Sequence, residues 1–310
     1  MRKVLIAAHV HEVLLKGLED EGYACVVRED IKQEEAYGMV QDFVGVITST
    51  RLQIDERMID AASKLEWIGR MGSGMEVIDV AYAEAKGIRC YGSPEGNANA
   101  VAEHALGMLL SLTKRIVVGA NEVKAGKWLR NENRGIELEG KTIGIIGFGH
   151  TGRAFAKKLS VFDMNILAYD KYPAANVPDY VEIAESYTRI KEEADIISFH
   201  VPLQADTINY FNKEFMNGFQ KPFILVNTSR GKVVNTDALY KGLSLGKVKG
   251  ACLDVLEQEP LSKMPNELRN TLGKMLLLPQ VIITPHIAGY SFEAVFKMSR
   301  ILLGKIVIAG

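Results

Sequence analysis

The chain has 310 residues, enough for about two domains at ~150 residues each and for a core that buries roughly three quarters of the unfolded surface. Lysine and arginine total 37 against 38 acidic residues, and a net charge of −1 offers no electrostatic footprint for nucleic acid or an anionic membrane. Hydrophobic content of 47% and charged content of 24% are globular values that exclude disorder, collagen and coiled coil.

The apolar run at 4–8 is too short for a signal h-region, and His9, His11 and Glu12 follow it at once. No stretch approaches the ~18 unbroken apolar residues of a membrane span. Cys25, Cys90 and Cys252 are scattered and odd in number, and read as buried reduced thiols. These features predict a soluble, cytoplasmic protein. Short apolar runs at 4–8, 23–27, 44–48, 67–70 and 89–91 read as strands, separated by helical patterns such as 11–20 and 57–64. A longer helix is predicted over 99–118, with Val101, Ala105, Met108, Leu109, Leu112 and Ile116 on one face. A second series of strands follows at 142–146, 165–169, 196–199, 223–227, 248–253 and 281–284, and a last helix at 291–309. The alternation predicts an α/β protein of two doubly wound parallel-sheet domains. One domain, 99–287, is placed inside another formed by 1–98 and 288–310, so that two crossings leave an expected cleft, a favoured place for a small molecule.

The strand at 142–146 runs into Gly147-Phe148-Gly149-His150-Thr151-Gly152, and an amphipathic helix is predicted over 153–162. Glycines at these three places permit a tight turn, close approach of a pyrophosphate, and close packing of helix on strand. The helix start offers N–H groups and partial positive charge to phosphate. Asp170 ends the next strand, where a carboxylate accepts from the adenosine ribose hydroxyls and repels a 2′-phosphate. The pattern predicts dinucleotide binding and favours NAD over NADP, with Lys171 read as a solvated neighbour.

Three further residues lie just beyond strand ends, where open α/β sheets place ligands. Arg230, in Asn227-Thr228-Ser229-Arg230-Gly231, has the planar fork for bidentate carboxylate binding. His286, in Thr284-Pro285-His286-Ile287-Ala288-Gly289, belongs to the residue type that exchanges protons near neutrality. A carboxylate bonded to it would stabilise imidazolium. Glu257 and Glu259 both follow the strand at 248–253, and spacing alone leaves open which of them reaches the histidine. No residue set is assigned to a metal.

With these residues in place the chain resembles the D-isomer-specific 2-hydroxyacid dehydrogenases over essentially its whole length. The resemblance is carried by Arg70-Met71-Gly72-Ser73-Gly74, by Val101-Ala102-Glu103-His104, and by the glycine loop with Asp170. His200-Val201-Pro202-Leu203 with Thr207 also matches. So does the run from Asn227 to Gly231 through Leu253-Asp254-Val255 and Glu259-Pro260 to Pro285-His286-Ile287-Ala288-Gly289. It implies a Rossmann NAD-binding domain inserted into a flavodoxin-like substrate domain. It implies catalytic roles for Arg230 on the substrate carboxylate and carbonyl, His286 as acid/base, and Glu259 as its partner. To the cofactor it assigns the glycine loop from Gly147 to Gly152, Asp170, His200, Val201, Pro202, Thr207, Thr228, Ser229, Arg230, Asp254, His286 and Gly289, with Asp254 on the nicotinamide carboxamide. Ser73 and Gly74 would contribute backbone N–H groups to the substrate carboxylate. The long helix and the arm up to about Gly140 would build a two-fold homodimer.

Within the family, Gly126-Lys127-Trp128-Leu129-Arg130 and the stretch from Gly135 to Lys141 are similar to 3-phosphoglycerate dehydrogenases, and Arg51 lies where those use arginine near the substrate phosphate. Hydroxypyruvate, glyoxylate or D-lactate-type reduction is the alternative. A sensing protein that binds NAD(H) without turnover is the alternative of another class. Formate dehydrogenases carry glutamine where this chain has Glu259, which counts against that branch. Met75-Glu76-Val77 departs from the usual small residue followed by Asp-Asn. The sequence ends 24 residues after His286, short of the usual tail, and a regulatory domain is not expected.

Overall fold

A computed structural model of the chain describes residues 2–172 and 175–309; Met1, Pro173, Ala174 and Gly310 lie outside it. It divides into two compact units, one of Met1–Ala98 with Gly289–Gly310 and the other of Asn99–Ala288. Both are parallel α/β sheets.

The first unit contains β1 (Arg2–Ile6), α1 (Glu12–Asp20), β2 (Tyr23–Val27), α2 (Gln33–Met39), β3 (Phe43–Thr48), α3 (Glu56–Ala61), β4 (Trp67–Arg70), α4 (Val80–Ala85) and β5 (Arg89–Gly92). Its strand order, β2-β1-β3-β4-β5, is the flavodoxin-like order. The core under the sheet is built from Leu5, Val46, Ile68, Met58 and their neighbours. Asp55 caps α3 by accepting from the Met58 N–H at 2.9 Å, which starts that helix one residue before the predicted 57.

The second unit follows α5 (Pro94–Thr113), which crosses the boundary, and α6 (Ile116–Lys124). It contains β6 (Thr142–Ile146), α7 (His150–Leu159), β7 (Asn165–Tyr169), β8 (Glu182–Ile183), α8 (Tyr187–Glu193), β9 (Ile196–Phe199), α9 (Lys213–Asn217), β10 (Phe223–Asn227), α10 (Thr236–Ser244), β11 (Val248–Leu253), α11 (Asn266–Leu276) and β12 (Val281–Ile283). The order β12-β11-β10-β9-β6-β7-β8 reverses direction between β6 and β9, the switch point where such sheets bind ligands beyond their carboxyl ends. The last helix, α12 (Phe292–Ala309), returns to the first unit and packs on α1, β4 and β5. The two helices approach so closely that a Cβ on Gly17 would stand 2.2 Å from Leu303 Cδ2.

Two expectations need correction. The helix predicted over 99–118 is two helices: α5 begins at Pro94, whose fixed φ suits a first turn, and it ends at Thr113. Arg115 then takes a left-handed φ of 54°, and Thr113 Oγ1 bonds back to Leu109 O at 2.8 Å, so α6 starts afresh. The helix after the glycine loop is His150–Leu159 rather than 153–162, because the turn closes directly into it. The short β8, with both residues exposed, was not anticipated, since two polar-edged residues carry no periodicity to read. Cys25, Cys90 and Cys252 are free, but only Cys252 is fully buried. Burial pushes the thiols of Cys25 and Cys90 up to about 11 and that of Cys252 higher still. No helix among the described residues is long and apolar enough to cross a membrane.

Candidate active site

The glycine loop fits a bound pyrophosphate. Gly147 adopts φ +92°, and a Cβ there would lie 2.5 Å from His200 O, so only glycine lets the loop after β6 pass the end of β9. A Cβ on Gly152 would stand 2.2 Å from Gly147 O, which draws α7 onto its strand. At Gly149 a Cβ would meet nothing within 4 Å, and this residue provides no side chain to cap the first N–H groups of α7. Those N–H groups and the positive end of the helix suit an anion. Arg153 braces the turn, its Nε donating to Phe148 O at 3.1 Å and its guanidinium stacking on the Phe148 ring at 4.6 Å. His150 is exposed at the first turn, and Thr151 is half-buried beside it.

Asp170 stands at the end of β7 and accepts from Phe148 N at 2.6 Å and from Tyr172 N at 2.9 Å. It thus ties the glycine loop to the neighbouring strand end with one carboxylate. Lys171 turns to Asp206, 2.6 Å away. Beyond β9, Val201 packs against Gly147. Thr207 holds the Pro202–Gln204 turn through bonds to Pro202 O at 2.7 Å and from Gln204 N at 2.8 Å. Thr228 Oγ1 and Ser229 lie in the buried turn after β10, and Thr228 Oγ1 has no partner among the described residues, as expected of a hydroxyl that a ligand completes.

His200 has an interior setting. Its Nε2 meets Ser198 Oγ at 2.8 Å, its ring packs on Phe155, and Nδ1 has no partner among the described residues. Burial lowers its pKa from 6.5 to about 3. Between those values the unfolded chain binds a proton that the folded chain does not, so stability is complete above about 6.5 and declines as pH falls toward 3. Urea unfolding at about pH 7.5 and about pH 5 should show wild type losing on the order of 2 kcal/mol that His200→Gln retains. Equal losses in both proteins would exclude His200 as the cause.

The three residues proposed for chemistry all belong to the second unit. Asn227, at the end of β10, pins the following turn: its Nδ2 donates to Arg230 O at 3.0 Å and its Oδ1 accepts from Ser229 N at 3.1 Å. Arg230 Nη1 donates to Ser229 O at 2.7 Å. At Gly231 a Cβ would lie 1.7 Å from Leu256 O, so this turn abuts the loop after the adjacent strand β11. That loop carries Glu259, whose Oε1 accepts from Leu256 N at 2.7 Å while Oε2 pairs with His286 Nδ1 at 2.7 Å. The Glu259–Pro260 peptide is cis. The open choice between the two glutamates is thereby settled: Glu257 Oε2 instead accepts from Thr236 N at the start of α10.

Burial of the Glu259 carboxyl raises its pKa, but the hydrogen bonds from His286 and Leu256 and the charges of His286 and Arg230 outweigh this and hold it below the ordinary carboxylate value. An ionised carboxylate only accepts, so Nδ1 of His286 carries the proton and Nε2 is left as the nitrogen that exchanges one. His286 has φ +57°, a left-handed conformation that costs a residue with a Cβ roughly 1–2 kcal/mol. Asp254, at the end of β11 and only 1% exposed, supports it: its carboxylate accepts from Thr284 Oγ1, Ile287 N and Ala288 N, and its backbone oxygen accepts from His286 N at 2.8 Å. His104, quoted above in a motif but given no role, also reaches this group, with Nε2 2.9 Å from Thr284 Oγ1. Its position about three turns into α5, away from any strand end, gave no sequence signal beyond that motif.

In the first unit, the loop after β4 holds Ser73, exposed, and Gly74, half-buried. Gly72 before them has φ +136°, and Arg70 folds over it, Nη1 donating to Met71 O at 2.8 Å. Arg51, on the exposed loop after β3, pairs with Asp30 at 3.3 Å. Gly289 lies against Asn97.

The family profile described as D-isomer specific 2-hydroxyacid dehydrogenase, NAD binding domain, matches residues 106–288. The chain belongs to this family. It is 33% identical to the D-3-phosphoglycerate dehydrogenase of Archaeoglobus fulgidus over 98% of its length and 56% of that protein. It is 35% identical to the hydroxypyruvate reductase of Thermotoga maritima over 91% of its length and 89% of that protein. Its structure resembles that of the D-lactate dehydrogenase from Aquifex aeolicus complexed with NAD and lactic acid, at 25% identity and a TM-score of 0.86, covering 99% of this chain and 95% of that one. The chain thus spans little more than half of the phosphoglycerate dehydrogenases of Archaeoglobus and Methanocaldococcus jannaschii, and most of the reductase. The profile ends at residue 288, so the glycine loop, Asp170, Arg230, Glu259 and His286 all lie in the stretch that defines the family's NAD-binding domain.

Proposed function

We propose that the protein is an NAD-dependent oxidoreductase that interconverts a D-2-hydroxy acid and its 2-oxo acid. The single observation that carries this reading is the 2.7 Å pairing of His286 with Glu259 on the loop that the Arg230 turn abuts. Nicotinamide, when bound, supplies the hydride for reduction and accepts it in oxidation. Arg230 holds the substrate carboxylate with its planar fork and draws charge from the carbonyl oxygen. Imidazolium His286 delivers a proton to that oxygen from Nε2, and Glu259 stabilises the charged ring while fixing its orientation. In the reverse direction neutral His286 takes the hydroxyl proton, so raised pH favours oxidation. Asp170 supports NAD over NADP, because its carboxylate repels a 2′-phosphate.

The substrate reading is 3-phosphoglycerate and 3-phosphohydroxypyruvate, with hydroxypyruvate, glyoxylate or D-lactate chemistry as the alternative; a D-3-phosphoglycerate dehydrogenase, a hydroxypyruvate reductase and a glyoxylate reductase are 33%, 35% and 36% identical to the chain. We also read the protein as a cytoplasmic two-fold homodimer. The support for a dimer is the apolar surface along α6 and the arm after it, where Ile116, Val117, Val123 and Ile136 are exposed and Trp128 is 77% exposed. NADH oxidation followed at 340 nm with 3-phosphohydroxypyruvate, hydroxypyruvate, glyoxylate and pyruvate tests the function. Turnover of at least one is expected, and a preference for the phosphorylated acid would assign Arg51 to its phosphate. No turnover with any, alongside tight NADH binding, would replace the enzyme with the sensing protein.

A further inference from the structure

We propose that His104 is a positioning residue for the proton-transferring histidine, acting from α5 through the Thr284 hydroxyl and the buried Asp254 carboxylate. The proposal rests on the reading of His286 given above. Asp254 Oδ1 accepts from Thr284 Oγ1 at 2.6 Å and Ile287 N at 2.9 Å, and Oδ2 accepts from Ala288 N at 2.8 Å. Every one of these donors belongs to the segment that carries His286 in its left-handed conformation. The orientation of the ring therefore depends on where the Asp254 carboxylate points.

Hydrogen-bond counting fixes what His104 contributes. The Thr284 hydroxyl has one proton and three candidate acceptors in reach, Asp254 Oδ1 at 2.6 Å, His104 Nε2 at 2.9 Å and Met108 Sδ at 3.7 Å. The charged, nearer oxygen takes it. The His104 Nε2, 2.9 Å from the same hydroxyl oxygen, must then be a donor, so the ring carries its proton on Nε2. The same nitrogen lies 3.5 Å from Asp254 Oδ1. Donation into the hydroxyl oxygen strengthens the hydroxyl's own donation to the carboxylate, because serial hydrogen bonds polarise one another. The chain of bonds runs from His104 to Thr284 to Asp254 and so to the backbone on both sides of His286. Among the described residues, Glu259 faces His286 directly and Arg230 acts on Glu259, while Asp254 faces His104.

Three measurements test this on the full chain. Spectra of protein labelled with ¹⁵N-histidine, without substrate, should show His104 carrying a proton on Nε2. His104→Ala should lower kcat for reduction about 10-fold, since small misplacement of a reacting group costs that much or more, with the Kd for NADH within twofold of wild type. It should also move the ring signals of His286. His104→Gln, whose side-chain amide occupies the Nε2 position and can donate to Thr284, should restore kcat to within about threefold and return the His286 signals. A proton on Nδ1 alone, an alanine variant with unchanged kcat and unmoved His286 signals, or a glutamine variant as impaired as alanine would each overturn the proposal. Should wild type reduce no 2-oxo acid, the enzymatic reading falls, while the spectra still decide the hydrogen-bond chain.

Discussion

Replacing His286 by asparagine should lower kcat by about 10²–10⁴-fold, the usual contribution of a positioned acid–base group, while NADH binds as before. Asparagine fits the space and keeps a side-chain group near Glu259 Oε2, but it has no group that gains and loses a proton near neutrality. The loss should be larger in kcat than in KM, because the proton is needed only as the carbonyl oxygen becomes an alkoxide. Steady-state kinetics with NADH titration by fluorescence checks both halves. Retained turnover would remove His286 from proton transfer, and lost NADH binding would make the residue part of the cofactor site instead.

The second large effect is expected at Arg230. Lysine keeps the charge but replaces a rigid fork with a point donor. Losing one charge-assisted hydrogen bond of about 1.5–3 kcal/mol corresponds to about 10–10²-fold in kcat/KM. Both constants should suffer, KM through the carboxylate and kcat through the carbonyl oxygen. Measuring kcat and KM for Arg230→Lys with the best 2-oxo acid decides it. Wild-type values would place the anion site elsewhere.

Much of this was legible in the chain. The strands at β2, β4, β6, β7, β9, β10 and β11 coincide with runs read from the sequence, most plainly at β6, β9 and β10, which are buried at every residue and therefore largely apolar. Arg230 and His286 could be singled out because each follows such a run directly. The partner of the histidine could not, since Glu257 and Glu259 differ in outcome only through backbone contacts, one capping α10 and the other turning back to Leu256 N. His104 was silent for a related reason: it lies 180 residues from Thr284 and acts through another side chain. Asp254 was read as a cofactor contact, and that reading did not show that its carboxylate also accepts three hydrogen bonds from the segment carrying His286. The break after α5 depended on one left-handed arginine in an otherwise helical pattern, which no periodicity reveals.

The most direct measurement of the central claim uses NADH deuterated at the transferable C4 position together with the 2-oxo acid that wild type turns over. The account predicts a 2-hydroxy acid of D configuration with one deuterium at C2, and no such product from His286→Asn on the same time scale. An L product, or a product without the label, would contradict it.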